Sequence, residues 1–379
     1  MVISLIADSG DKLLNKLQRL TLNGFKSIKA MDLELRPLNI LIGANGTGKS
    51  NLISFFKMLN EMMAGRFQQY IGMSGRAQSV LHFGAKTTPQ IEATLKFEVE
   101  NGIDSYHLRL FHAAGDSLIF AEETLSFQQI GRTSPRIDQL GAGHQETKIN
   151  AAAEGGMQTA KTLKYLLDRC RVYHFHDTSS TALVRQSCYI GDNRWLMPDG
   201  GNLAALLLKF RDEDNIAYKS IVGTIRLIAP FFDDFVLEPD ASHRVILNWR
   251  EKDSDRIFGP HQFSDGTLRA ICLATLLLQP NDKLPELIVV DEPELGLHPY
   301  ALNVVADLFS KASLHTQVLI STQSSSFLDN FDPEDVIVVN RAGKESQFKR
   351  LNPTELEAWL EEYSLGEVWE KNIIGGGPH

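Results

Sequence analysis

The chain has few cysteines, no long apolar run and no excess of positive charge. Its three cysteines, Cys170, Cys188 and Cys272, stand far apart in 379 residues. That spacing fits neither a disulfide framework nor a zinc cluster, so a reducing compartment, the cytoplasm, is the expected home. The longest apolar stretch, Ala270 to Leu278, is far too short to span a bilayer, and no membrane role is expected. Residues 1–16 hold a brief apolar patch followed by mixed charge, without the basic start and longer apolar core of a secretion signal. A net charge of −9 argues against a surface coated in basic residues for indiscriminate nucleic-acid binding, while leaving room for a local basic groove. Internal repeats and sustained heptads are missing too, which excludes solenoids and long coiled coils.

What is present is ordinary in bulk and specific in detail. A hydrophobic fraction of 43% and a charged fraction of 22% suit a soluble chain with a sizeable core. The length allows two or three domains, or one two-lobed domain with insertions. Residues 17–35 alternate in short apolar runs around Asn23-Gly24, which predicts paired strands turning there. Residues 38–42 form an apolar β-type run. Residues 50–63 then place Leu52, Phe55, Phe56, Leu59 and Met63 at helical spacing. Residues 91–130 alternate again, as several antiparallel strands do. Residues 131–160, rich in Gly, Ser, Gln and Ala, lack periodicity and read as a mobile loop. Two amphipathic helices are expected within 202–228 and a strand near 245–251. The last third alternates helices at 266–279 and 300–313 with strands at 286–290, 317–321 and 335–340, a parallel α/β layout.

Between the apolar run and the first helix lies Gly43-Ala44-Asn45-Gly46-Thr47-Gly48-Lys49-Ser50, a G-x-x-x-x-G-K-[ST] loop. Glycines let such a backbone curl, so that successive N–H groups face phosphate oxygens and the helix adds its positive end. Gly43, Asn45, Gly46 and Gly48 shape the cradle, and Lys49 reaches the β and γ phosphates. Ser50, followed by Asn51, offers a hydroxyl to Mg²⁺. The run Leu287 to Glu292 is an apolar strand ending in two carboxylates. Asp291 is placed to hold the Mg²⁺ shell, and Glu292 to orient or deprotonate an attacking water. ATP and Mg²⁺ are therefore the expected cofactors. Ser264-Asp265-Gly266-Thr267 opens the helix at 266–279. Read alone it is a helix cap; beside a phosphate loop that is already complete, it is a second anion site suited to a γ-phosphate held by another molecule.

These segments, in this order, resemble the ATP-binding-cassette (ABC) ATPases of the RecF, SMC and OLD type. Ser264-Asp265-Gly266 looks like the signature motif, with Asp265 in place of the usual glycine. Glu294 to Pro299 resembles the D-loop, and Gln323 sits where the switch histidine belongs. The closing stretch from Tyr363 to Gly376 resembles a bacterial group within that clan known as predicted AAA-family ATPases, which lacks a Toprim nuclease domain. The resemblance implies a two-lobed α/β head: a P-loop sheet, an antiparallel β lobe and a short helical arm insertion. It divides the chain into an N-terminal lobe (1–190), an arm insertion (191–259) and a C-terminal lobe (260–379). It also implies an ATP-dependent homodimer or higher oligomer, in which Ser264 and Gly266 act on the partner copy's nucleotide while Gln323 senses the γ-phosphate. A glutamine there bonds phosphate but carries no charge, so slow turnover is expected. DNA repair or anti-phage defence is the implied setting, with DNA as one candidate ligand. The alternative is an ATP-gated scaffold that controls a separate effector protein such as a nuclease. The interval from Lys49 to Asp291 is too short for the long coiled coils of SMC proteins, and too little chain follows Gln323 for a nuclease domain.

Several residues stay open. Gln78 and Gln128 are both candidates for the Q-loop glutamine. His174 and His176 would share one face of a strand, as a metal pair or, with no third ligand nearby, as structural groups. Two basic runs, Lys161, Lys164, Arg169, Arg171 and Lys12, Lys16, Arg19, Lys26, Lys29, are either solvated faces or DNA contacts. Asp329, Asp332, Glu334 and Asp335 read as a turn before a strand more simply than as a metal site. Trp359, Tyr363 and Trp369 among acidic residues either dock a partner or pack on their own lobe.

Overall fold

A computed structural model describes residues 15–377; Lys12 and the apolar patch before it lie outside the described residues. Two six-stranded sheets enclose the helix Lys49–Met63. The first sheet runs in the order Glu345–Arg350, Val336–Ala342, Leu38–Ile42, Gln317–Thr322, Leu287–Asp291, Cys170–Tyr173. Only its outermost strand, Glu345–Arg350, is antiparallel. The register sets Ile42 beside Thr322 and Asp291 beside Ser321. The phosphate loop, the paired carboxylates and the Gln323 loop therefore leave the sheet at one end, because parallel strands deliver their C-termini to a common edge.

Alternation along these buried strands divides the core in two. Leu41, Val289, Leu319 and Val339 join the Lys49–Met63 helix and the second sheet. Ile40, Ile42, Val290 and Ile320 join a helical layer on the opposite face. The second sheet is wholly antiparallel, in the order Ile28–Glu34, Lys16–Phe25, Gln90–Val99, Gly102–Ala113, Ser117–Gln129, Arg136–Gly141. Against it the helix buries Leu52, Phe55, Phe56, Leu59 and Met63, each contributing about 1.5–3 kcal/mol of transfer free energy.

The helical layer holds Leu203–Glu213, Asn215–Ile228, Asp265–Leu277 and Pro299–Ala312. The two helices of the 191–259 segment thus share one core with the signature helix. A small sheet of Phe232–Val236, Asn248–Glu251 and Ile257–Phe258 is centred on Trp249, which stacks on Phe263 at 4.5 Å and so anchors the residue before Ser264. Among the described residues no helix is long and apolar enough to cross a membrane.

Two expectations need correcting. The first hairpin turns at Lys26-Ser27, not at Asn23-Gly24, since the strand continues through Phe25 and Lys26 takes φ 49°. Residues 131–160 are not a structureless loop: the strand Arg136–Gly141 extends the second sheet, and the helices Ile149–Glu154 and Gln158–Asp168 follow. Carboxylates tie this stretch down. Buried Glu123 accepts from Tyr106 (2.7 Å) and the Lys148 N–H (3.0 Å) and pairs with His144 (2.8 Å). Glu146 accepts from the N–H groups of Phe67 and Gln68, both at 2.9 Å. Order held by buried polar bonds leaves no hydrophobic period for a sequence pattern to detect.

Candidate nucleotide site

The helix Lys49–Met63 starts after Gly48, at φ 114°, and no side chain caps its first N–H groups. The Asn51 N–H turns back to the Gly48 carbonyl (3.1 Å), while those of Lys49 and Ser50 face outward with the helix dipole behind them, an arrangement that suits an anion. The loop is braced from outside. The Ser346 hydroxyl donates to the Thr47 carbonyl (2.5 Å), Ser27 Oγ lies 2.6 Å from Ser346 Oγ, and Asn51 Nδ2 donates to Ser27 (2.5 Å). Asn51 thus supports the loop from behind. Arg341 donates to the Gly46 carbonyl at 3.1 Å. Lys49 donates to the carbonyls of Gly43 and Ala44, its buried amine held below the usual range by desolvation, with Glu292, Asp291 and Glu294 opposing that shift.

Across the sheet end, Glu292 takes the left-handed value φ 43°, a strain of about 1–3 kcal/mol for a non-glycine residue. Its N–H donates to the Ser321 carbonyl (2.7 Å), and its carboxylate accepts from the Gln323 amide. Glu294 accepts from the Thr322 hydroxyl (2.5 Å) and the Gln323 N–H (3.1 Å), so it fixes the loop that carries Gln323. Burial pushes the carboxyls of Asp291 and Glu294 above the ordinary carboxylate range, a state that a nearby divalent cation would reverse.

A cavity of about 910 Å³ lies over the loop, lined by Asn45, Thr47, Gln323, Asn340, Trp369 and Gly376 among others. The glycine-rich C-terminal end is one of its walls. The Gly376 carbonyl accepts from the Ala44 N–H at 2.7 Å. Gly376 has φ +67°, and a Cβ there would come within 2.9 Å of Val338 Cγ1. The only sequence signal for this role is the run Gly375-Gly376-Gly377. A second cavity, about 630 Å³, is lined by Lys26, Asn51, Gln78 and Phe83. Phe83 is 47% exposed, and Lys344 sits 5.3 Å from its ring centre. Gln78 therefore lies near the phosphate loop, whereas Gln128 donates to the Gln129 carbonyl (3.4 Å) on the second sheet.

Ser264, Asp265 and Gly266 do not line the phosphate-loop cavity. Ser264 caps the helix Asp265–Leu277, accepting from the Thr267 N–H at 3.1 Å. Asp265 accepts from Arg185 (2.9 Å), a 5%-exposed guanidinium that also donates to the carbonyls of Thr178 (2.8 Å), Phe263 (3.3 Å) and Pro260. The aspartate in the glycine's place is thus the exposed end of a strut whose guanidinium is buried, and no local pattern points to Arg185. A Cβ on Gly266 would meet the Gly296 carbonyl oxygen at 2.0 Å, so the helix start abuts the loop after Glu292. Arg269 joins the same parts, donating to the carbonyls of Leu295 (2.7 Å), Phe175 (3.0 Å) and His176 (2.9 Å).

The open residues now have places. The strand expected to carry His174 and His176 ends at Tyr173. His176 lies against Asp291 and Glu292, and His174 is pushed down to about 4 chiefly by burial. No cluster of three metal-ligating side chains occurs among the described residues. In the second basic run, Lys16, Arg19 and Lys29 pair with Glu98 (3.1 Å), Asp32 (2.5 Å) and Glu345 (2.8 Å). Glu334 pairs with Arg36 (2.8 Å), and Asp329 accepts from the Gly366 N–H (2.6 Å), in the turn expected there. Trp369 is buried in the head's own core, while Trp359 stays 42% exposed.

Residues 191–329 match a family model described as an AAA domain, putative AbiEii toxin of a type IV toxin–antitoxin system. No curated protein matches the chain in sequence. Among solved structures, an Smc head bound to the C-terminal winged-helix domain of ScpA is similar at TM-score 0.61 and 16% identity, covering 90% of this chain and 99% of that one. An Smc head domain with an extended coiled coil, bound to the C-terminal domain of ScpA and derived from Pyrococcus furiosus, is similar at TM-score 0.60 and 15% identity, covering 92% of this chain and 99% of that one. The fold is therefore that of the Smc head domains, two-lobed and α/β, and the segment that matches the AAA-domain model includes Ser264, Asp291, Glu292 and Gln323.

Proposed function

We propose that the chain binds ATP with Mg²⁺ at the phosphate loop, dimerises head to head on it, and hydrolyses it slowly. The observation that carries this reading is the pairing of an uncapped, glycine-led helix start with a strained Glu292 held by Gln323 at the same sheet end. The backbone N–H groups and Lys49 would bind the β and γ phosphates. Ser50 and Asp291 would hold Mg²⁺, whose charge would counter the upward push of burial on the Asp291 carboxyl. Glu292 is the general base for the attacking water, oriented by Gln323. The exposed ring of Phe83 and the Lys26 amine offer a stacking and charged surface for the base side of the nucleotide. Ser264, exposed at the start of the helix Asp265–Leu277, would act with Gly266 on a partner copy's γ-phosphate.

The biological setting is a repair or anti-phage response, in keeping with a family model named for a putative toxin. A second reading, a scaffold gated by ATP, is favoured by the Smc heads of this fold that were solved with a ScpA domain bound. In that reading the effector is a separate protein such as a nuclease.

The Glu292→Gln variant tests the core of the proposal. Turnover is expected to fall about 100-fold or more while ATP binding persists, and light scattering should show a dimer that appears only with ATP and Mg²⁺. A variant that stays monomeric at saturating ATP would sink the dimer. Adding double-stranded or single-stranded DNA to the wild-type assay separates the two settings: stimulation favours DNA handling, and indifference favours the scaffold.

A further inference from the structure

Far along the sheet from the phosphate loop, the edge strand Cys170–Tyr173 borders a cleft of about 580 Å³. Five basic side chains, Arg169, Arg171, Arg194, Lys209 and Lys283, line it against two carboxylates, Asp168 and Asp282. In a chain of net charge −9 this is a local inversion of sign. Asp168 pairs with Lys164 outside the cleft (2.8 Å), whereas Asp282 pairs with Lys283 of the lining itself (2.6 Å). Arg169 pairs with Glu286 (3.3 Å), and Lys209 has only Glu213 at 4.0 Å.

Arg171 and Arg194 are different. Their guanidinium carbons lie 4.5 and 4.7 Å from the ring centre of one half-exposed indole, Trp195. Among the described residues neither has a carboxylate within 4.0 Å. Gathering two unpaired guanidinium ions on one indole is unfavourable by Coulomb repulsion, and an anion between or beside them removes the cost. Guanidinium planes match phosphate bidentately and also stack on bases. Tyr165, half exposed at the rim, adds an aromatic face, and the cleft's volume falls within the ~300–1,000 Å³ range of small-ligand sites. An adjoining pocket of about 260 Å³ shares Arg194, Lys209 and Lys283 and adds Glu213 and Asp214, so the basic lining ends there.

We propose that this cleft is a second anion site, separate from the phosphate loop, that takes a phosphate-bearing nucleotide unit. The unit is either a free nucleotide or one residue of a nucleic-acid strand. It explains why only part of the basic run at 161–171 stays available: Lys164 and Arg169 are paired, and Arg171 is held open by Trp195. The inference stands apart from the nucleotide reading of the phosphate loop, and either survives the failure of the other.

The test uses the full chain carrying Lys49→Ala, which silences the phosphate loop, and measures anisotropy of a labelled twelve-nucleotide single strand and of a mant-labelled nucleotide. Arg171→Ala/Arg194→Ala is expected to weaken whichever probe binds about tenfold or more and, for the strand, to reduce the log–log salt slope by about 1.4. Arg194→Glu, at an exposed position that leaves the core untouched, should weaken it at least as much, with an unchanged melting temperature. Strand binding alone identifies nucleic acid; nucleotide binding alone identifies a small effector. Failure of both probes, or affinity in Arg194→Glu within twofold of the parent, overturns the proposal. So does binding of a glutamate decapeptide in preference to both, which would make the cleft a protein-docking site.

Discussion

Two helix starts in this molecule are built on the same device and finished differently. At Gly48 the helix Lys49–Met63 begins from a left-handed glycine with no side-chain cap; the Asn51 N–H turns back to the Gly48 carbonyl (3.1 Å), and no protein group caps the N–H groups of Lys49 and Ser50. At Ser264 the helix Asp265–Leu277 begins under a serine that already accepts from the Thr267 N–H, over an Asp265 bonded to Arg185. The first is ready for an anion within its own chain. The second is already satisfied by its own cap, in keeping with the proposal that it meets ligand only when a partner copy brings it. The contrast is one of strain and storage. Buried Lys49 and strained Glu292 make the first site locally unfavourable without ligand, whereas bonds from Arg185 and Arg269 stiffen the second.

Three substitutions would break or sharpen this comparison. Lys49→Ala should have the largest effect and confine it to ligand: ATP affinity falls about 100-fold, or about 2.7 kcal/mol, by equilibrium dialysis. The melting temperature stays level or rises, because a buried amine whose pKa is lowered by desolvation opposes folding while it is charged. A large loss of stability would show that the lysine is structural.

Arg185→Ala should do the reverse. It leaves Asp265 and several carbonyls unpaired, costing about 2–3 kcal/mol in urea unfolding, with monomer ATP affinity unchanged. If affinity falls with stability, the two helix starts are not independent. Ser264→Ala should be the mildest, about 1 kcal/mol for a lost cap, yet it should abolish ATP-dependent dimerisation at the concentrations where the Glu292→Gln protein dimerises. A serine variant that still dimerises would reduce Ser264 to a cap.

The legible parts of the sequence were those whose chemistry is local. The apolar strand, glycine loop and helix around Lys49, and the strand ending in Asp291 and Glu292, each lie within a few neighbours, and the structure has the corresponding elements at Leu38–Ile42, Lys49–Met63 and Leu287–Asp291. The turn at Lys26-Ser27 was misplaced because Asn23-Gly24 has stronger turn chemistry and only cross-strand pairing with Gln90–Val99 overrides it. The order of residues 131–160 depends on Glu123 and Glu146, which look like surface charges in a sequence.

The sequence by itself determined where the glycine loop, the helix after it and the strand ending in two carboxylates lie, because each needs only its neighbours. Tertiary structure alone decided that Asp265 leans on Arg185, that Gly266 meets Gly296, and that Gly376 closes against Ala44. These are contacts between segments tens to hundreds of residues apart. Their energy comes from burial and from satisfying polar groups that no local window contains.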